Sequence, residues 1–351
     1  MVRVPSAGRA LYAPFALLDY PASAGLWLVL NLALLAACLR SLSIVAPRLM
    51  ARRGRLVVVV LCASAPVFEL LGGGQDAAFV LAVWLLAIRL MTSRHQVMAG
   101  AVLGLVLLKP QHAVLVPVVL LVTRRFGALW GFVVTGSVQG AVSLVLLGPA
   151  GVLEWVGALT GSDFTGKVQQ GQAWKMVSMP ALLHGLAPGL MTGAVSSMVA
   201  LLVLVAAATV LVLMLLRAQR SVVREAITAV DPTAVLMAAL CTTVVFSPHL
   251  VVYDAVLLFP VALFLLERRP SVAVRLALMA AFITSWLAPA LYLGFGQLAW
   301  PLSIEAAPWT AVPLLILWVE SLRMLTQPAG SLPPTRTPAD APTERSGASP
   351  E

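Results

Sequence analysis

One lysine lies in the middle of an apolar segment, where an ammonium group is costly to place. Lys109 precedes Pro110 within LGLVLLKPQHAVLVPVVLL. Proline breaks a helix and frees a backbone carbonyl, and a charge at membrane depth needs a partner of opposite sign. The partner is either a carboxylate of the protein or an anionic ligand. A lipid phosphate suits a helix break, so we predict that Lys109 binds a phosphate, with a structural salt bridge as the alternative.

Two short motifs place further polar residues beside apolar segments. The motif ELLGGGQD ends on Gln75 and Asp76, and FSPHLVVYD contains His249, Tyr253 and Asp254. His249 and Tyr253 are four residues apart and share a face if the segment is helical. Ionisable groups at membrane depth are costly and tend to be functional. The alternative stays open, because an aspartate that opens a helix, as Asp76 does, can simply cap it.

The elements that carry these residues are predicted to be membrane helices. Apolar residues make up 60% of the chain, charged residues 11%, and the mean hydropathy is +0.97, whereas a soluble domain averages about 25% charged residues. The apolar runs are continuous, as in ALWGFVVTGSVQGAVSLVLL, which is typical of spanning helices and not of barrel strands. We therefore predict an all-α polytopic membrane protein.

The net charge of +9 does not indicate nucleic-acid binding. The arginines cluster in short connectors, which is a topology signal, and no basic face interleaved with aromatic residues is present. The three cysteines lie in apolar runs without a CxxC or Cys/His spacing. Neither a disulfide framework nor a zinc site is therefore expected.

About nine spans and one broken hairpin are predicted. The spans lie near residues 22–44, 56–71, 76–91, 127–147, 194–216, 233–248, 254–266, 272–292 and 303–321. Arginines flank segment 97–123 at both ends, which puts both ends on the cytoplasmic side. One span cannot do this, so the segment is predicted to be a hairpin with its apex at Lys109–Pro110.

The same arginine pattern divides the chain into five parts. Residues 1–21 are predicted to be an external segment, 22–147 an N-terminal membrane bundle, 148–193 an external loop, 194–326 a C-terminal membrane bundle and 327–351 a disordered cytoplasmic tail. The loop carries Trp174, which is an interface anchor or a substrate contact. Asp19, Glu69 and Glu305 are expected at external helix ends: Glu69 is predicted to be a solvated helix end, and capping and function both stay open for Glu305.

The order of motifs resembles glycosyltransferase family 87, the polyprenol-phosphate-mannose-dependent mannosyltransferases of the C-type membrane fold. The resemblance rests on LYAPFALLDYPASAGLWLVLNLALL, PVFELLGGGQD, AGAVLGLVLLKPQHAVLVPVVLLVTRR and SPHLVVYD, which together span about residues 11–270. Family members begin with another helix and an external loop that carries the catalytic aspartate. The chain is expected to lack both, which leaves Asp19, Asp76, Asp254 and His249 as candidate catalytic residues, and none of the three aspartates matches the family's base.

The resemblance implies a polyprenyl-phosphate sugar donor and a glycolipid or polysaccharide acceptor, reached from the outer face of a bacterial plasma membrane. An external carboxylate would act as general base, with inversion at the anomeric carbon. Lys109 and Gln75 would bind the donor phosphate, and Tyr253 and Trp174 would make acceptor or loop contacts. The leaving group is already a phosphate, so positive charge matters more than a metal, and no cofactor is expected.

Two other functions remain open from the sequence. A transporter or flippase of lipid-linked or polar solutes usually shows internal repeats, and none is visible here. An inactive, truncated transferase could act as a membrane scaffold, in which case Lys109 would be replaceable by methionine without consequence. The crowding of polar residues at one end of the spans favours the transferase.

Overall fold

The computed structural model describes residues 12–160, 175–191, 193–224, 230–248, 250–268, 270–296 and 298–326. Over these residues the chain forms α-helices joined by short 3₁₀ segments, and its nearest approach to a sheet is an isolated antiparallel bridge between Met176 and Val251. The helices are α1 (Tyr20–Ser41), α2 (Pro47–Cys62), α3 (Ala65–Gly72), α4 (Ala77–Thr92), α5 (Gln96–Gly104), α6 (Val116–Val122), α7 (Phe126–Thr160), α8 (Met179–Leu186), α9 (Gly193–Arg224), α10 (Pro232–Phe246), α11 (Phe259–Arg268), α12 (Val272–Phe295) and α13 (Ala311–Arg323).

Four helices are long and apolar enough to cross a membrane by themselves. They are α1, α7, α9 and α12, and at most 22% of each apolar window is buried within the protein. Helices α2 and α3 form a fifth candidate, bent by 55° at the break between them. Apolar faces left open over this length are what lipid-facing helices show. The prediction of an all-α polytopic membrane protein is confirmed.

Shorter apolar helices form the centre of the bundle. Helix α10 is buried from Thr233 to Phe246 along its whole length, and α4 buries most of its residues, including Trp84. A helix that is apolar all round belongs in such a core. Asp231 starts α10 by accepting a hydrogen bond from the Thr233 backbone N–H at 2.8 Å, and Pro232 follows at the first helical position, where proline is favoured.

The predicted hairpin around Lys109 is present. Gln96 lies beside Gly127 where α5 and α7 begin, and Leu107 lies beside Gly136 further along both, so the two helices run parallel. For α5 and α7 to run in the same direction, the chain between them must run back in the opposite direction, and α6 is the helix that does so. The helices pack backbone to backbone, because a side chain on Gly131 would overlap the facing Val97 carbonyl.

Several predicted boundaries differ from the structure. The span predicted at 303–321 is a 3₁₀ segment (Leu302–Ala306) followed by α13, and the span predicted at 254–266 begins with a 3₁₀ segment (Val252–Leu258) before α11. Apolar composition does not reveal such breaks. Within the predicted external loop, α7 continues past Gly148, whose φ of +67° suits glycine, and α8 follows. The division into five parts stays a prediction.

Candidate active site

Lys109 occupies a break between two 3₁₀ segments, Leu105–Leu108 and Pro110–His112. Its backbone is extended (φ −121°, ψ 81°), because a residue before proline avoids the helical region. The ammonium Nζ lies 2.5 Å from Asp76 Oδ1 and 3.1 Å from Asp254 Oδ1. The hairpin apex thus joins the start of α4 to the 3₁₀ segment before α11.

Asp254 is the inner of the two carboxylates. Its side chain is 2% exposed, and His112, which is fully buried, places Nε2 3.5 Å from Asp254 Oδ1. A carboxylate removed from water in this way needs a charged partner, and Lys109 provides it. Asp254 is therefore enclosed by the protein, and its catalytic role stays a prediction.

Asp76 is the outer carboxylate, with 22% of its side chain exposed. It precedes α4, but its side chain makes no capping hydrogen bond to that helix. Instead Asp76 Oδ2 accepts a hydrogen bond from the Tyr12 hydroxyl at 3.1 Å. Simple helix capping, the alternative left open by the sequence, does not describe this side chain.

Tyr12 is held in place by aromatic contacts. Its ring centroid lies 5.2 Å from that of Trp27, and the Trp27 indole N–H donates to the Gly74 carbonyl at 2.7 Å. Burial raises the pKa of the Tyr12 phenol above its ordinary value, and the neighbouring Asp76 raises it further. The hydroxyl therefore stays protonated at physiological pH and donates to Asp76.

The anionic partners of Lys109 come from the protein itself. One ammonium faces two carboxylates, and the Tyr253 ring lies 5.3 Å from Nζ. The salt-bridge alternative thus describes this structure, whereas phosphate binding by Lys109 stays a prediction. Gln75, the other predicted phosphate ligand, donates from its side chain to the Gly73 carbonyl at 2.9 Å.

A second ion pair lies next to this cluster. Lys175 Nζ is 2.9 Å from Glu69 Oε2, and Glu69 is at the end of α3, just before the GGGQD motif. The neighbouring Val177 N–H donates to the Leu250 carbonyl at 3.1 Å. The sequence interpretation of Glu69 as a solvated helix end missed this pair, because nothing in the local sequence of either residue points to the other.

The remaining predicted residues are placed as follows. Asp19 caps α1 by accepting from the Ala22 N–H at 3.1 Å, and Glu305 is exposed in the 3₁₀ segment after α12. His249 and Trp174 lie outside the described residues. Tyr12 and His112 were not among the predicted site residues; the position of His112 one turn after Lys109 was the only available signal.

The described residues offer no cluster of three or more His, Cys, Asp or Glu side chains that could hold a metal ion. The cluster of Lys109, Asp76, Asp254, His112 and Tyr12 is instead a set of proton donors and acceptors around one cation. A partly exposed carboxylate in such a set can accept a proton from a hydroxyl group.

Comparison with known families identifies the chain. The sequence model of glycosyltransferase family 87 matches residues 5–248, which is more than half of the protein. The chain belongs to this family. No curated protein and no solved structure matches it. Membership of family 87 indicates a membrane glycosyltransferase, in agreement with the motifs around Asp76 and Lys109, which lie inside the matched region.

Proposed function

We propose that this family 87 protein transfers a sugar, mannose in the first instance, from a polyprenyl-phosphate donor to a hydroxyl group of a glycolipid or polysaccharide. The observation that supports the proposal is Asp76, a carboxylate that is partly exposed, does not cap its helix, and is held by Lys109 and Tyr12. A base must reach the substrate and keep a defined orientation. Asp76 has both properties.

Among the candidate catalytic residues, Asp76 is the best choice for the general base. Asp254 is 2% exposed and already contacts Lys109 and His112. Its role in this proposal is to hold the Lys109 ammonium in position from the buried side of the cluster. A residue in that place positions the base without touching the substrate. His249 remains a candidate catalytic residue.

The reaction follows from this assignment. Asp76 takes the proton of the acceptor hydroxyl as the acceptor oxygen attacks the anomeric carbon. The bond from that carbon to the phosphate oxygen breaks, and the polyprenyl phosphate leaves with the electron pair. Attack opposite the leaving group inverts the anomeric centre, and the proton passes from Asp76 to water.

Lys109 can also serve the leaving phosphate. An ammonium group has three N–H donors, and two of them face Asp76 and Asp254. The third is available for a phosphate oxygen as negative charge develops there. Gln75, one residue from Asp76, can turn its amide N–H from the Gly73 carbonyl to the same phosphate.

We further propose that this cluster faces the outside of a cell membrane. The hairpin places Lys109 just past the C-terminal end of α5, while Arg94, Arg124 and Arg125 precede the N-terminal ends of α5 and α7. Arginine-rich connectors mark the cytoplasmic side. The donor lipid would then enter from the outer leaflet.

The test is sugar transfer by the full chain in lipid nanodiscs. Radiolabelled polyprenyl-phosphate mannose and a membrane lipid extract serve as substrates, and Asp76→Asn is compared with Asp19→Asn. Loss of a general base costs about 10²–10⁴ in rate, so Asp76→Asn should be nearly inactive. Asp19→Asn should remain active, because asparagine caps a helix as well as aspartate does.

Two results would contradict the proposal. Wild-type transfer rates in Asp76→Asn would assign the base to another residue. If the wild-type protein transfers none of the polyprenyl-phosphate sugars in a panel, a transporter or a scaffold becomes the better explanation.

A further inference from the structure

A cleft of about 310 Å³ opens beside the candidate active site and is not used in the proposed reaction. It lies between α8, the end of α12 and residues 298–308. Small or apolar residues form most of its wall, and four side chains add polar or aromatic groups: His184, Tyr292, Trp300 and Ser303. A pocket that is largely apolar with a few placed polar groups is the usual form of a ligand site, and this volume is at the small end of such sites.

The cleft is connected to the lysine cluster through one short segment. Met176 lines the cleft and forms the bridge with Val251. Val251 in turn accepts a hydrogen bond from the Asp254 backbone N–H at 2.9 Å. The segment Val252–Leu258 is 3₁₀, in which three residues rise about 6 Å, so the Met176 wall of the cleft lies close to the Lys109 cluster.

Trp300 gives the cleft a fixed aromatic surface. Its indole N–H donates to the Leu186 carbonyl at 3.3 Å, which ties the ring to the end of α8, yet the residue remains 62% exposed. The face of an aromatic ring carries partial negative charge, and the C–H groups of a pyranose ring carry partial positive charge. A flat sugar face is therefore a good partner for this ring.

The polar groups of the cleft suit hydroxyl groups. Burial lowers the pKa of His184, so its imidazole is neutral at physiological pH and both donates and accepts a hydrogen bond. Ser303 carries a hydroxyl with the same two capacities. Among the described residues, those that line the cleft carry no charged side chain, which disfavours a phosphate or a carboxylate as the ligand.

We infer that this cleft binds the saccharide part of the acceptor, with one sugar ring stacked on Trp300 and hydroxyl groups bonded to His184 and Ser303. The inference rests on the proposed transferase function and names the substrate class that the site would take. A glycan held here would extend toward Asp76 with its terminal hydroxyl. The acceptor would accordingly be recognised by an existing sugar, and not by its lipid alone.

The inference can be tested by binding, without turnover. Wild-type protein in lipid nanodiscs, free of sugar-based detergent, is titrated with soluble trisaccharides of mannose, glucose, galactose and arabinose by saturation-transfer NMR. Trp300→Phe and Trp300→Leu form a matched pair, because both lose the indole N–H but only phenylalanine keeps an aromatic face. Trp300→Leu should weaken binding about tenfold and Trp300→Phe much less.

Other outcomes would overturn the inference. If no trisaccharide binds the wild-type protein, or if the two Trp300 variants behave alike, the cleft is not a sugar site and Trp300 is a membrane-interface anchor or an apolar contact. Should a Trp300 variant unfold, His184→Leu and His184→Gln replace the pair, since glutamine keeps a donor and an acceptor.

The closing control separates this inference from the proposed function. Asp76→Asn should bind the trisaccharide as the wild type does while it transfers no sugar. If the wild type binds a trisaccharide but transfers no sugar, the proposed transferase function is wrong and the cleft is still a saccharide site. If the wild type transfers sugar but binds no trisaccharide, the inference about the cleft is wrong and the proposed function stands.

Discussion

Carboxylates at opposite ends of α10 have different kinds of partner. Asp231, where the helix begins, accepts from the Thr233 backbone N–H at 2.8 Å and pairs with Arg268 at 2.5 Å. Asp254, which follows the other end, contacts the side chains of Lys109 and His112. A helix of this length separates the two places by about 22 Å. We call them the arginine end and the lysine end.

Two further carboxylates, Glu267 and Asp76, follow the same division. At the arginine end, Glu267 accepts hydrogen bonds from the backbone N–H groups of Arg48 and Leu49, at 3.1 and 2.8 Å, where α2 begins. At the lysine end, Asp76 precedes α4 without capping it. Carboxylates that satisfy backbone groups stabilise the fold, whereas one that is held only by side chains can exchange its partner for a substrate. This difference predicts which variants lose stability and which lose activity.

The largest effect is expected for Lys109→Met. Asp254 would lose its cation while buried, and breaking such a pair costs about 3–5 kcal/mol. Arg268→Met is the matched change at the arginine end, where Asp231 keeps its bond to Thr233 and the pair is more exposed; about 1 kcal/mol is expected there. The stability of both variants is measured by thermal unfolding in nanodiscs. Equal losses of stability in the two variants would contradict the difference between the lysine end and the arginine end.

A double variant separates charge burial from activity. Lys109→Met with Asp254→Leu removes the whole buried pair, and such replacements are often neutral. We expect stability to return to near the wild-type value while sugar transfer stays absent. Restored transfer would show that Lys109 only balances the charge of Asp254 and takes no part in the reaction.

A smaller effect is expected where α5 meets α7, the packing that positions the Lys109 hairpin. Gly131→Ala would press a methyl group into the Val97 backbone, whereas Gly140→Ala meets no atom within 4 Å. Overpacking costs about 1–3 kcal/mol. Gly131→Ala should therefore lower both stability and transfer, and Gly140→Ala neither. Transfer that is unchanged in Gly131→Ala would mean that the hairpin does not position the base.

Glu267→Gln probes the arginine end alone. The neutral amide loses the charge that favours the α2 N-terminus, at a cost of about 1 kcal/mol. The melting temperature should fall slightly, and sugar transfer per folded molecule should equal that of the wild type. A selective loss of transfer in this variant would remove the functional distinction between the two ends.

The smallest effect is expected for Tyr12→Phe at the lysine end. It removes one hydrogen bond to Asp76, which is worth about 0.5–1.5 kcal/mol, and transfer should fall about two- to tenfold. Stability should fall by no more than about 1 kcal/mol, because the ring contact with Trp27 remains. A steady-state transfer rate and a melting curve, measured on the same variant, distinguish a loss of activity from a loss of stability. A variant that loses only stability would show that Tyr12 has a structural role.

The sequence by itself determined the features that are encoded in neighbouring residues. Continuous apolar runs predicted the all-α membrane architecture, and arginines on both sides of segment 97–123 predicted the hairpin. Lys109–Pro110 predicted its apex, since proline acts on the residue directly before it. The family was also recognisable, because its motifs are short contiguous stretches such as ELLGGGQD.

Only the tertiary structure decided which charges meet. Lys109 and Asp254 are 145 residues apart, and Tyr12 and Asp76 are 64 apart, so no local pattern links them. The breaks inside the spans predicted at 254–266 and 303–321 were likewise invisible. Apolar composition reports only that a segment avoids water; where it bends, and which partner satisfies a polar group within it, depends on the helices that pack around it.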